Sequence, residues 1–312
     1  MPLGPVKNAL LTGLGGSAAG GDFVKALFDD EGSVPFIVNR DYHLPKWVSD
    51  ESLVYVSSYS GNTEETISAY HDAVQVGARR IVLTSGGKLA ELARENGDDL
   101  ILIPAGQPPR TALGFMLVPL VVASAKLGLI PEQDFDGVLA SLDEAVRRWG
   151  IDRPFSENDA KQLGEAMQGA VSVLYGLGGW QAIVANRWKG QINENAKNMT
   201  FANAFPELNH NEILGWVKAH EQRVGQWLTV VLEDGSESAK MQARRDVTAR
   251  LIQGVSPTAR VHAFGATLLA RMLTLVLMGD FVSLYLAALN DVDPENIDAI
   301  NVLKAELSRI PE

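Results

Sequence analysis

Residues 53–66 read Leu53-Val54-Tyr55-Val56-Ser57-Ser58-Tyr59-Ser60-Gly61-Asn62-Thr63-Glu64-Glu65-Thr66. The first four are aliphatic or aromatic, as in a buried strand, and Glu64 opens a helical pattern. Three hydroxyls, on Ser58, Ser60 and Thr63, crowd the intervening turn beside Gly61. A helix N-terminus leaves backbone N–H groups unpaired and carries partial positive charge. Hydroxyls and free N–H groups together make an anion cradle without lysine or arginine. One hydroxyl is enough to cap a helix; three point to a small phosphorylated ligand.

Working outward, short apolar runs alternate with helical patterns through the first half of the chain. Strands are expected at Val6–Thr12, Pro35–Val38, Leu53–Ser57, Arg80–Thr84 and Leu100–Ile103, with helices at Ala18–Asp29, Glu64–Val76 and Lys88–Glu95. This alternation implies an α/β protein with a parallel sheet covered on both faces. Ile81-Val82-Leu83 and Leu100-Ile101-Leu102-Ile103 are apolar throughout, as fully buried parallel strands are. A long amphipathic helix follows over Asp134–Gly150.

The polar segment 152–159, with Pro154, is the expected junction and gives domains 1–153 and 154–312. Beyond it the pattern restarts. Leu174-Tyr175-Gly176-Leu177-Gly178-Gly179 repeats Leu11-Thr12-Gly13-Leu14-Gly15-Gly16 at five of six positions. That repeat reads as an internal duplication of one α/β unit. Further strands are expected at Gln226–Leu232 and Ala259–Ala263, and the C-terminal third is helical.

At 312 residues the chain has room for two cores. A formal charge of −11 argues against general nucleic-acid binding. With no cysteine there is no disulfide and no thiolate chemistry. No His-Glu-x-x-His or similar spacing predicts a metal. No signal peptide is recognised at the N-terminus. Thr111–Ala125 is shorter than the ~20 residues a membrane span needs, and Arg271 and Asp280 interrupt Thr267–Leu289; both read as buried helices. A cytoplasmic location without membrane partners is expected.

The loop Gly13-Leu14-Gly15-Gly16-Ser17-Ala18 fits a loose dinucleotide fingerprint, with Arg40 as a reader of an NADP phosphate. That reading leaves the serine-rich turn without a role, and a phosphosugar suits both loops better. Gly15-Gly16-Ser17, the turn 58–66, Pro109-Arg110-Thr111-Ala112-Leu113-Gly114, Pro206-Glu207-Leu208-Asn209-His210-Asn211-Glu212, Gly279-Asp280-Phe281 and Leu303-Lys304 occur in this order. In combination they resemble the bifunctional phosphoglucose/phosphomannose isomerase family over nearly the whole chain. The resemblance implies two sugar isomerase (SIS) domains of flavodoxin-like type and a helical C-terminal region.

It also implies aldose–ketose isomerisation of glucose 6-phosphate, extended in the family to mannose 6-phosphate, with fructose 6-phosphate, and no metal or cofactor. Gly16, Ser17, Ser58, Ser60 and Thr63 would hold the phosphate. Glu194 stands sixteen positions before His210, as the family pattern requires, and would be the base; a carboxylate suits a carbon-bound proton. His210 would open the sugar ring, since imidazoles exchange protons near neutral pH. Arg110 would stabilise the enediolate, Lys304 would stand near the ring oxygen, and Glu212 could orient the histidine or a neighbouring loop. Asn296-Ile297-Asp298-Ala299 offers no hydroxyl to read the C2 epimer, so glucose 6-phosphate is the firmer expectation.

The family further implies a homodimer with shared active sites, the histidine coming from the neighbouring chain. The competing reading is a non-catalytic SIS-domain phosphosugar sensor. Such a protein needs only the serine turn and usually carries a basic DNA-binding segment, which this sequence lacks.

Overall fold

The computed structural model describes residues 6–307 and residue 309. They form two compact units that divide between Asp134 and Phe135. The first holds β1 (Asn8–Thr12), β2 (Phe36–Asn39), β3 (Ser52–Ser58), β4 (Arg79–Thr84) and β5 (Asp99–Leu102), with helices α1 (Gly15–Glu31), α2 (Glu64–Gln75), α3 (Gly87–Asn96) and α4 (Leu113–Lys126). All pairings are parallel and the order is β2-β1-β3-β4-β5, the flavodoxin-type arrangement.

Side-chain alternation along the strands explains how both faces are covered. Leu10, Val54, Val56 and Val82 point to one core with Tyr70, Ala73, Leu89 and Leu92 of α2 and α3. On β3 the intervening Tyr55 donates to or accepts from Ser124 Oγ of α4 at 2.8 Å. All seven residues of β3 are buried, as expected of a central parallel strand. β5 differs from its expectation: it is an edge strand, and Leu102 is 55% exposed. An unbroken apolar run does not distinguish a central strand from an edge one, because no neighbour covers the edge.

The second unit has β6 (Ala170–Gly176), β7 (Thr200–Ala204), β8 (Gln226–Glu233) and β9 (Thr258–His262), all parallel, in the order β7-β6-β8-β9. This repeats β2-β1-β3-β4, so the six-residue repeat falls at equivalent places, where β1 and β6 hand over to their helices. β7 falls outside the strands expected from the apolar pattern. Its Thr200-Phe201-Ala202-Asn203-Ala204 lacks the apolar run by which the other strands were recognised.

Around this sheet lie α5 (Phe135–Trp149), α6 (Asp159–Met167), α7 (Gly179–Ala196), α8 (Glu212–Gly215), α9 (Ala239–Ile252), α10 (Leu268–Leu289) and α11 (Asp298–Leu307). The division precedes the expected 153/154 junction because α5 packs on α10. Its C-terminal carbonyl at Trp149 accepts from Asn158 Nδ2 at 3.0 Å and Tyr285 Oη at 2.6 Å. Pro154 interrupts the chain inside the unit rather than between units.

By length and composition α10 could cross a membrane, but 56% of its most apolar window is buried against α5, α6 and α7. Each fully buried Leu or Met there stabilises by roughly 1.5–3 kcal/mol.

Candidate active site

β3 delivers Ser57 and Ser58 to its C-terminal end, and the chain turns sharply into α2. Gly61 makes the turn at φ +70°, and a Cβ there would stand 1.8 Å from the Gly86 carbonyl oxygen. Only glycine fits on both counts. The turn then folds its hydroxyls onto its own backbone. Ser58 Oγ accepts from Gly61 N at 3.1 Å and lies 2.9 Å from Thr63 Oγ1. Ser60 Oγ accepts from Asn62 N at 3.2 Å. Ser17 Oγ, in the first turn of α1 beside Gly16, accepts from Tyr59 N at 3.1 Å and joins the glycine loop to the serine turn.

A hydroxyl that accepts a backbone N–H keeps its own proton to donate. The turn therefore gathers preset donors at the start of α2, where Thr63 is the N-cap yet its side chain caps nothing. The capping role that one hydroxyl could have filled is left unused. Ser17, Ser58, Ser60 and Thr63 are thus brought together as the sequence suggested. Arg40, which a nucleotide reading requires, is instead ion-paired with Asp22. Burial raises the Asp22 carboxyl, and Arg40 opposes the rise.

Tyr59 was not singled out from sequence. Its hydroxyl donates to Pro104 O at 3.0 Å and accepts from Gln107 N at 2.9 Å. It thereby tethers the loop that leads to the 3-10 turn Pro109–Thr111, where Arg110 is half-buried. An interior Tyr in a Ser-rich turn is the only sequence signal that could have found it.

In the second unit, Glu194 sits half-buried near the end of α7. Polar bonds set the register of α7 on α10. Trp188 Nε1 donates to Leu275 O at 2.8 Å, Gln191 Nε2 to Asp280 Oδ1 at 2.7 Å, and Asn195 Nδ2 to Ser283 Oγ at 2.9 Å. The indole lies across Gly279, whose absent Cβ would meet Trp188 Nε1 at 2.2 Å. Burial raises the Asp280 carboxyl above its ordinary value, opposed by Arg187 at 3.7 Å and by Gln191. The Gly279-Asp280 pair noted in the sequence is the partner surface of the helix that carries Glu194.

His210 ends the 3-10 turn Glu207–His210 and is exposed. Its neighbours are tied down. Asn209 Nδ2 donates to Thr248 Oγ1 of α9 at 2.9 Å, and Leu208 is fully buried. Glu212 accepts from the Tyr175 hydroxyl and from Asn203 Nδ2 at 2.5 Å, and Tyr175 Oη accepts from Trp216 Nε1 at 2.8 Å. Beside this network is a cleft of about 370 Å³ walled by Val173, Phe201, Glu212, Trp216 and Trp227 and by neither Glu194 nor His210. Lys304 falls in α11, and its side chain lies outside the described residues.

The turn after β8 occupies the place of the serine turn in the repeated unit, but it is acidic. Glu237 Oε1 accepts from Asp234 N at 2.8 Å and from Gln181 Nε2 at 3.1 Å, and Oε2 accepts from Gly235 N at 2.9 Å.

Residues 156–307 match the family model described as the bacterial phospho-glucose isomerase C-terminal SIS domain. A bifunctional phosphoglucose/phosphomannose isomerase of Caldicellulosiruptor bescii is 42% identical over 98% of this chain and 91% of its own. Its counterpart in Aquifex aeolicus is 33% identical over 98% and 92%. Tagatose-6-phosphate ketose/aldose isomerase from Escherichia coli shares the fold at a TM-score of 0.69 and 17% identity, over 93% of this chain and 84% of that one.

Proposed function

This chain belongs to the bifunctional phosphoglucose/phosphomannose isomerase family, and from that premise we propose that it interconverts glucose 6-phosphate and mannose 6-phosphate with fructose 6-phosphate. The observation that carries the reading is the serine turn together with Ser17 of the glycine loop: Ser17, Ser58 and Ser60 accept backbone N–H groups and Thr63 pairs with Ser58. A phosphate dianion is an acceptor for every proton they have left.

The isomerisation is written as proton transfers. With the phosphate held by Gly16, Ser17, Ser58, Ser60 and Thr63, His210 moves a proton between O5 and O1 and opens the ring. The Glu194 carboxylate takes the C2 proton of the open aldose, giving a cis-enediolate. The Arg110 guanidinium balances the charge on O1 and O2. Glu194 returns its proton to C1 while the O2 proton passes to O1, and the ketose results. Lys304 would act beside the ring oxygen. A homodimer with His210 supplied by the neighbouring chain, and a cytoplasmic location, belong to the same proposal.

The test is fructose 6-phosphate in D2O followed by NMR, with Glu194→Gln in parallel. The expected result is glucose 6-phosphate deuterated at C2, with turnover reduced about 10²–10⁴-fold in the variant. Mannose 6-phosphate appearing alongside would establish the second aldose. Binding without turnover or exchange would overturn the isomerase and leave a phosphosugar-binding protein.

A further inference from the structure

Tyr175 and Asn203 are direct neighbours across the parallel pair β6–β7, so their side chains leave the sheet on the same face. Both donate to one carboxylate, that of Glu212, the first residue of α8. Tyr175 is fully buried, and its hydroxyl accepts from the indole of Trp216, which follows α8. Burial, reinforced by the Glu212 carboxylate, pushes the Tyr175 phenol up, so it stays protonated as the donor. Glu212 N is itself bound by Asn211 Oδ1 at 2.5 Å. One carboxylate thus joins two strands to a segment whose other end is held to α9 by Asn209.

His210 lies between these two attachments and is exposed, as is Asn211 beside it. We infer that Glu212, held by Tyr175 and Asn203, is a positioning residue that sets the direction of His210 for ring opening. The inference rests on the isomerase reading above. A pinned segment of this kind matters because misplacing a catalytic group by about 1 Å costs on the order of 10²-fold. Glutamine in place of Glu212 keeps the shape but turns an N–H₂ toward one of two donors, so one bond is lost.

Ring opening can be read apart from isomerisation. The Glu194→Gln enzyme cannot move the carbon-bound proton, yet it still opens rings and so accelerates exchange between the α and β anomers of glucose 6-phosphate. NMR saturation transfer measures that exchange above the uncatalysed rate. The expected result is catalysed exchange in Glu194→Gln, lowered at least about 10-fold in Glu194→Gln/Glu212→Gln. Affinity for the open-chain analogue glucitol 6-phosphate should stay unchanged.

Tyr175→Phe in the same background, which removes one oxygen, should lower exchange in the same sense. Undiminished exchange in both double variants overturns the inference. Loss of glucitol 6-phosphate binding in both shows a merely structural role and also overturns it. Absence of exchange in Glu194→Gln, where the wild-type enzyme isomerises, removes the ring-opening role of the histidine and this inference with it. Absence of wild-type isomerisation marks failure of the parent reading instead.

Discussion

Ser58 Oγ and Thr63 Oγ1 lie 2.9 Å apart, on either side of a turn whose Gly61 N donates to Ser58 at 3.1 Å. Of the two hydroxyl protons, one closes the pair and the other remains for a ligand. Ser58 therefore serves both fold and ligand in the buried part of the turn, whereas exposed Ser60 accepts only from the solvent-facing Asn62 N, a bond that water can replace.

The two serines should separate when each is changed to alanine. Ser60→Ala should weaken fructose 6-phosphate binding by about 10–100-fold, the worth of one charge-assisted hydrogen bond, with the melting temperature unchanged. Ser58→Ala should lose affinity and also about 0.5–1.5 kcal/mol of stability, because the buried hydroxyl's bonds to Gly61 N and Thr63 are lost while Gly61 N keeps its bond to the Ser58 carbonyl. Titration calorimetry and urea melts on both variants check this. Unaltered binding in Ser60→Ala would remove Ser60 from the phosphate site.

Gly61→Ala should be severely destabilising. The left-handed conformation alone costs roughly 1–2 kcal/mol for a residue with a Cβ, and the approach to Gly86 O adds backbone displacement. A melting temperature within about 2 °C of wild type, where 1 kcal/mol corresponds to about 2–4 °C, would contradict the turn geometry.

Gly279→Ala tests the seam between α7 and α10. A methyl at 2.2 Å from Trp188 Nε1 must push the indole off Leu275 O. Overpacking of this kind costs roughly 1–3 kcal/mol. Because the displaced helix carries Glu194, turnover should fall more than affinity does. Steady-state kinetics showing a change in KM alone would disconnect the seam from the reaction.

Asp280 gives the seam a pH dependence of defined sign. Its folded carboxyl is raised by burial, so the native state holds the proton more tightly than the unfolded chain. Its contribution to stability is complete below the unfolded value near 3.8 and declines as pH rises through the raised folded value. Asn in its place has no proton to lose and still offers Gln191 an acceptor. Asp280→Asn should therefore gain stability relative to wild type across that window, read by urea melts at a series of pH values. The opposite trend would mean that Arg187 outweighs desolvation.

Much of this architecture is legible in local sequence. β1 to β4 lie within two residues of their expected ends, because apolar strands broken by glycine turns give a strong short-range signal. The repeat of Leu11–Gly16 at Leu174–Gly179 correctly indicated two sheets of one topology. What escaped was set by distant partners. β7 is a strand because β6 offers it a hydrogen-bonding edge, β5 is exposed because among the described residues no strand pairs beyond it, and α5 joins the second unit through α10. In the site, the serine turn is contiguous and readable, whereas Tyr175, Asn203 and Glu212 meet only once β6 and β7 pair. The roles of Glu194 and His210 came from family resemblance and not from any local pattern.

The acidic turn after β8 has a consequence for stoichiometry. Glu237 places its carboxylate on the backbone N–H groups of Asp234 and Gly235, the kind of donors that an incoming anion would use. The duplicated seat is plugged by the protein's own side chain, as if a permanent inhibitor were built into the chain. A molecule descended from a doubled unit should therefore titrate with one sugar phosphate per polypeptide, not two.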